Sequence, residues 1–182
     1  GAYADWAVHL AIAPGKQAQL LEKAIKKALN LANYAGFSAT GIAQDTSMPC
    51  IEPLPQDKRF RGEAWQKWPY NVLYQSFLLN QQWWYNATTG VRGVTQQHEN
   101  VVEFAARQML DVLSPSNYLL TNPELLEQTE REGGLNLQRG MKNFIDDFER
   151  AMSASKDAED AKSFKEGMEL IQNKFAKALE NK

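Results

Sequence analysis

The side chains here that could do chemistry are Cys50, His9, His98 and the adjacent pair Asp146 and Asp147. A cysteine nucleophile needs a lowered pKa, from a helix amino terminus, a basic neighbour or a histidine base. Cys50 lies between Pro49 and Ile51 in a proline-rich stretch that offers none of these. No Gly-x-Ser-x-Gly or Gly-x-Cys-x-Gly elbow occurs anywhere in the chain. His98 falls in the first turn of a helix among polar residues and reads as a surface side chain. His9, on a short apolar stretch, reads as a half-buried histidine with a backbone partner. One cysteine and two histidines cannot supply zinc spacing, and Asp146–Asp147 reads as the solvated face of a helix. No glycine-rich phosphate loop or Walker sequence is present. Asn86-Ala87-Thr88 has the form of a glycosylation acceptor, a three-residue pattern that arises often by chance. The residues therefore assign no catalytic group, no cofactor and no metal.

The bulk properties narrow the class of partner. A formal charge of -2 and a pI near 5.8 give no basic face for nucleic acid and no polybasic grip on anionic lipid. The single cysteine rules out an intrachain disulfide, which suits a cytoplasmic protein. No apolar run approaches the roughly 18 residues of a transmembrane helix. The start lacks the basic region of a signal peptide, and Gly1 in place of methionine reads as the beginning of a trimmed piece.

Helical periodicity dominates, which predicts an all-α fold: an irregular bundle of about six helices with a proline-rich strap. The first helix is expected from Pro14 or Gly15 to Tyr34. Its stripe Leu21, Ile25, Ala28, Leu29 and Ala32 faces one way; Lys16, Lys23, Lys26 and Lys27 face mostly the other. Pro49, Pro53 and Pro55 exclude a helix, so residues 35–57 are expected to form the strap. Phe60, Trp65, Trp68 and Tyr70 are too many aromatics for a solvated loop and should plug their segment onto the next helices. A helix then runs from about Asn71 to Asn86, with Gly90 as the left-handed residue after it. Thr95 should cap the next, striped by Val101, Phe104, Ala105, Gln108, Met109 and Val112 and stopped by Ser114-Pro115-Ser116-Asn117. The following helix opens either with a Thr121 cap and Glu124 in a capping box or with an Asn122 cap and Pro123 at its first position. Gly133-Gly134 closes it. A helix from Leu135 carries Leu137, Met141, Phe144, Ile145, Phe148 and Met152. These elements make one domain over residues 1–152, followed by a linker and carboxyl-terminal amphipathic helix over residues 153–182.

Two features suggest an interaction surface. Trp83, Trp84 and Tyr85 are consecutive, and successive helical residues diverge by about 100°, so at least one must point to the surface or a partner. The loops 57–69 and 90–94 are expected to cover it; the functional reading is contact with another subunit or an apolar surface. In the last helix Phe164, Met168, Ile171 and Phe175 form a stripe that must pack on this chain or on a partner.

Ile51-Glu-Pro-Leu-Pro-Gln-Asp-Lys-Arg-Phe60, Trp65 and Trp68-Pro69 resemble the entry of polyhydroxyalkanoate (poly-beta-hydroxybutyrate) synthases. More specific are Ser114-Pro-Ser-Asn117 with Thr121-Asn-Pro-Glu124, and Gly133-Gly-Leu-Asn-Leu137 downstream. The resemblance covers about Glu52 to Arg150. It implies the helical amino-terminal region of an acyltransferase that polymerises hydroxyacyl groups from coenzyme A thioesters. The Cys-His-Asp set of such enzymes belongs to an α/β-hydrolase domain that no position here matches, and Cys50 lacks the flanking glycines of the family nucleophile. On that resemblance this chain is inactive alone. Its expected partners are the synthase catalytic domain, a second copy of itself, or the polymer granule surface. A regulatory helical module unrelated to polymer, or a truncated piece with no independent role, remains the alternative. One departure stands out: relatives continue into strands after the helix at Leu135, whereas residues 163–182 read as helix.

Overall fold

The computed structural model describes residues 1–40, 49–153, 166–174 and 177, and among them every regular element is helical. The all-α expectation is met. In chain order the helices are α1 (Ala2–Ala11), α2 (Pro14–Ala39), α3 (Tyr70–Thr88), α4 (Gln96–Val112), α5 (Pro123–Arg131) and α6 (Leu135–Ser153). Short 3-10 turns occupy Glu63–Gln66 and Pro115–Asn117, and residues 166–174 are also helical. The chain forms two compact units, Gly1–Glu124 and Leu125–Lys182.

Local chemistry sets most of the boundaries. Pro14 opens α2, where its missing N–H and fixed φ cost nothing. Thr95 accepts from the His98 N–H at the start of α4. Asn122 caps α5, accepting from the Glu124 N–H at 3.1 Å with Pro123 at the first helical position, which decides between the two openings left by the sequence. After α3, Gly90 holds φ +64°, a conformation that a residue with a Cβ adopts at a cost.

In the first unit α3 is the hub: α2 and α4 both pack on it, and α1 packs on α4 and α2. Tyr74, Phe77, Leu78, Leu79 and Ala87 of α3 are all buried, since neighbours on several sides need apolar contact from it. The 57–69 segment supplies Phe60 and Trp65, which close a cluster with Tyr74, Phe77 and Leu78. The Phe60 ring stacks on Tyr74 at 5.4 Å and meets Trp65 edge-on at 4.9 Å. Trp68 departs from the plug expectation and is largely exposed. A second cluster joins Trp6 of α1 to Val91 and Val102, with the Trp6 indole N–H donating to the Ala87 carbonyl at 2.9 Å.

α1 answers to no helix expected from the sequence. α2 runs past Tyr34 through Gly36 to Ala39. The faces that neighbours cover are not those the apolar stripes mark. Leu20 is the buried apolar residue of α2, and Leu21, Ile25 and Leu29 stand exposed. The lysine side packs inward instead: Lys16 donates to the Thr89 carbonyl at 2.9 Å, Lys23 to Asn86 Oδ1, and Lys27 to Gln82 Oε1. Lysine stems cover apolar surface while their ammonium groups satisfy the polar carboxyl-terminal half of α3. α4 is turned in the same sense. It buries Val102 and leaves Val101, Phe104, Met109 and Val112 exposed.

In the second unit Ile145 of α6 is buried, while Phe144 is exposed and stacks on Phe148 at 6.3 Å. The Arg139 guanidinium pairs with Glu132, and the Asn136 amide donates to Thr129 Oγ1 at 2.8 Å across the Gly133–Gly134 turn. Leu170 and Ile171 are exposed.

Candidate interaction surface

The aromatic triplet of α3 divides as its geometry demands. Trp83 turns toward α2, its indole N–H donating to the Leu20 carbonyl at 3.1 Å. Trp84 packs on the Trp6, Val91 and Val102 cluster beside Val94, so the 90–94 loop covers it. Tyr85 points outward, 58% exposed. Of the last stripe, Ile171 is exposed and Met168 half-buried, and Phe164 and Phe175 lie outside the described residues. The exposed members of the two groups, Tyr85 and Ile171, belong to separate units.

The reactive side chains gain no chemistry from the fold. Cys50 Sγ lies 3.6 Å from the Asn30 carbonyl, and burial raises its pKa, the reverse of what a thiolate nucleophile needs. His9 Nδ1 meets the Asp5 carbonyl at 2.9 Å, the backbone partner expected of it. His98 Nδ1 meets the Asp5 carboxylate at 2.7 Å and so ties α4 to α1. That hydrogen bond, outweighing burial, holds the Asp5 carboxyl below its usual range. Beside His9 an open cleft of about 690 Å³ is lined by Lys16, Gly90 and Arg92. Among its lining residues there is no acid or nucleophile. No group of acidic, histidine or cysteine side chains fit to hold a metal ion occurs among the described residues. The Asn86 acceptor pattern is also compromised, since Thr88 is buried and its hydroxyl donates to the Trp84 carbonyl.

The motif residues that carried the resemblance hold backbone in place. Arg59 pairs with Asp57 at 2.8 Å and Asp111 of α4 at 2.9 Å, while its guanidinium lies 5.4 Å from both the Phe60 and Phe77 ring centroids. Gln81 donates to the same Asp111 oxygen. In the Ser-Pro-Ser-Asn turn, Ser114 and Ser116 hydroxyls lie 2.8 Å apart, and Asn117 donates to the Asp111 and Val112 carbonyls. Thr121 donates to the Pro115 carbonyl and Asn122 to that of Ser116. Sequence reasoning missed Arg59 and Gln75 as organisers, because the partners that define them are distant in the chain.

The Asp57–Arg59 pair gives a pH signature. Burial pushes the Asp57 carboxyl up, but the Arg59 guanidinium and backbone N–H outweigh it and hold the folded pKa below the ordinary value. A carboxyl lowered in this way contributes stability above its unfolded pKa and loses it as pH falls through the folded one. Asp57→Asn is therefore expected to cost about 1 kcal/mol at pH 7, the low end for a partly exposed charged pair. The difference from the parent should shrink to nothing at about pH 2 in urea titrations. An equal difference at both pH values would remove the ion pair as its cause.

Among the described residues the distinctive side chains act as struts, and the apolar stripes of α2 and α4 are turned outward. Residues 56–181 match the family described as poly-beta-hydroxybutyrate polymerase (PhaC) N-terminus, and this chain belongs to that family. The match runs through residue 181, so the tail falls within the family region and is no departure from it. The chain is 42% identical over 102 residues to a poly(3-hydroxyalkanoate) polymerase of Methylorubrum extorquens, covering 56% of this chain and 17% of that one. It is 36% identical over 104 residues to the polymerase subunit of Rhizobium etli, 53% of this chain and 16% of the other. With that of Cupriavidus necator it shares 29% over 126 residues, 69% of this chain and 21% of the other. The chain thus spans about a fifth or less of these relatives' length. No solved structure matches it. Among the described residues no helix is long and apolar enough to cross a membrane.

Proposed function

We propose that this chain is a non-catalytic helical part of a poly(3-hydroxyalkanoate) polymerase, and that it docks on the catalytic remainder of the enzyme and supports its activity. The observation that carries this is the outward stripe of α4. Val101, Phe104, Met109 and Val112 are each more than half exposed within the family-matched residues. Apolar area of this extent, rimmed by polar side chains, marks a contact surface. The reacting cysteine, histidine and aspartate would come from the other part of the polymerase.

The test is coenzyme A release from 3-hydroxybutyryl thioester by a separately produced polymerase catalytic part, titrated with this chain. A saturable rise, with no release by this chain alone, is the expected result. Phe104→Glu should weaken the half-saturating concentration at least about tenfold, as truncation of an interface anchor does. Its thermal melt should be unchanged, since Phe104 is 61% exposed. No rise at any concentration would sink the docking role. A second reading, association with the cytoplasmic polymer granule, is favoured by a specific feature: apolar stripes lie exposed on both α2 and α4. It predicts that this chain co-sediments with polyester particles and that Phe104→Glu releases it.

A further inference from the structure

We propose that the open cleft between the α1–α2 turn and the loop after α3 binds an organic phosphate, a small molecule that joins a dianionic phosphate group to an apolar body. The cleft holds about 690 Å³, the size of a small-ligand site and far more than a bare inorganic ion fills. Its lining divides by chemistry. Ile12, Ala13 and Pro14 form an apolar run, and Ile12 is 71% exposed, so the fold itself leaves this surface uncovered. Lys16, Arg92 and the His9 imidazole supply the cationic and hydrogen-bonding groups. The Lys16 ammonium donates to the Thr89 carbonyl at 2.9 Å and keeps two further N–H donors. Two permanent positive charges in one cleft match the two negative charges of a phosphate monoester, where a carboxylate would answer one.

Arg92 is held where it can act. Its side chain is exposed, and no ion pair engages it among the described residues. Its neighbours on both sides are fixed. Val91 is buried beside Trp6 and Val102. Gly93 holds φ +98° and lies so close to the His9 ring that a Cβ there would stand 2.3 Å from Cδ2. The Gly90 N–H is tied to the Glu99 carboxylate at 2.7 Å. A guanidinium on a loop pinned in this way loses little freedom when it meets a ligand. Two carboxylates stand nearby, and neither lines the cleft. Glu99 attracts Lys16, but one of its oxygens is held by the Gly90 amide. Asp5 meets Nδ1 of His9 at 3.1 Å, so His9 contributes its other ring nitrogen rather than a net charge. Most of the lining, from His9 to Gln19, precedes the family-matched residues 56–181, and the site neither needs nor tests the docking role of α4.

Phenyl phosphate is the probe, since it carries the dianion and an apolar ring and nothing else. At pH 8, where the phosphate is dianionic, calorimetric titration of the whole chain should give a Kd of roughly 0.1–1 mM. Inorganic phosphate and benzoate should each bind at least about tenfold more weakly, lacking the ring or the second charge. The amide resonances of Gly15, Gly90 and Arg92 should shift on titration. Arg92→Gln should weaken phenyl phosphate about tenfold with the thermal melt unchanged, because the side chain is exposed. Arg150→Gln, at an exposed arginine of the second unit, should leave the affinity as it is. No binding at about 10 mM overturns the inference, and so does an affinity indifferent to Arg92→Gln. Benzoate or inorganic phosphate bound as tightly as phenyl phosphate overturns an organic phosphate as the ligand. Vesicles of phosphatidic acid that capture the chain through Arg92, while phenyl phosphate fails to bind, would overturn a soluble ligand in favour of a lipid headgroup.

Discussion

Trp65→Ala is expected to cost about 3–5 kcal/mol and to abolish cooperative unfolding of the first unit near physiological temperature. Trp65 is fully buried, and its ring meets Phe60 at 4.9 Å, Tyr70 at 6.4 Å and Tyr74 at 6.5 Å. Truncation opens a void at the point where the 57–69 segment is held on α3. The neighbours are large rings that cannot slide in to fill it, so the cavity cost adds to the lost transfer energy. A milder change separates volume from polarity. The Trp65 indole N–H is buried with no hydrogen-bond partner, so Trp65→Phe removes ring volume and an unsatisfied donor together. It should cost less than half of what alanine costs in urea denaturation. Equal losses for the two would show that an unseen partner of the indole N–H, not ring packing, holds this segment.

How much of this was legible depends on whether the information was local. Thr95, Gly90, Gly133–Gly134 and the Asn122-Pro123 opening act on the nearest backbone groups, and the sequence marked each of them. Phe60 and Trp65 were readable as buried because so much aromatic area has few alternatives to burial. The stripes of α2 and α4 were found with the right residues, but the side that neighbours cover was not legible. Periodicity identifies an apolar face without saying what covers it, and a lysine face packs inward when its stems lie on apolar surface and its ammonium groups meet acceptors. The acceptors at Thr89, Asn86 and Gln82 lie more than fifty residues from those lysines, beyond any spacing argument. α1 escaped because ten residues with one buried side chain, Trp6, carry too few turns to show a period. Arg59 carries no local signal of its role, and only the fold brings Asp111 and the Phe77 ring to it.

Gln75→Leu should free the proline-rich segment near Ile51 while leaving the helices in place. Gln75 is fully buried in α3, where a glutamine is otherwise costly. Its side-chain carbonyl accepts from the Ile51 N–H at 2.9 Å, and its amide donates to the Ile51 carbonyl at 3.0 Å. One side chain thus does what a neighbouring strand would do for an extended backbone. Leucine keeps the volume and leaves two backbone groups without partners, at about 1–3 kcal/mol each if they stay buried. They need not stay buried. The segment can peel toward water, which caps the loss in global stability at the cost of peeling, about 2 kcal/mol. The stronger readout is therefore local, and Cys50 sits next to Ile51. Its burial and raised pKa keep the thiol slow in the parent chain, and peeling removes both restraints. Thiol-labelling of Cys50 at pH 8 should accelerate about tenfold or more in Gln75→Leu, as local opening by that free energy implies. The far-ultraviolet circular dichroism should stay as in the parent. Labelling at the parent rate would mean that Pro49, Pro53 and the packing of Ile51 hold the segment without Gln75, and that its two hydrogen bonds only satisfy a polar side chain that burial would otherwise penalise.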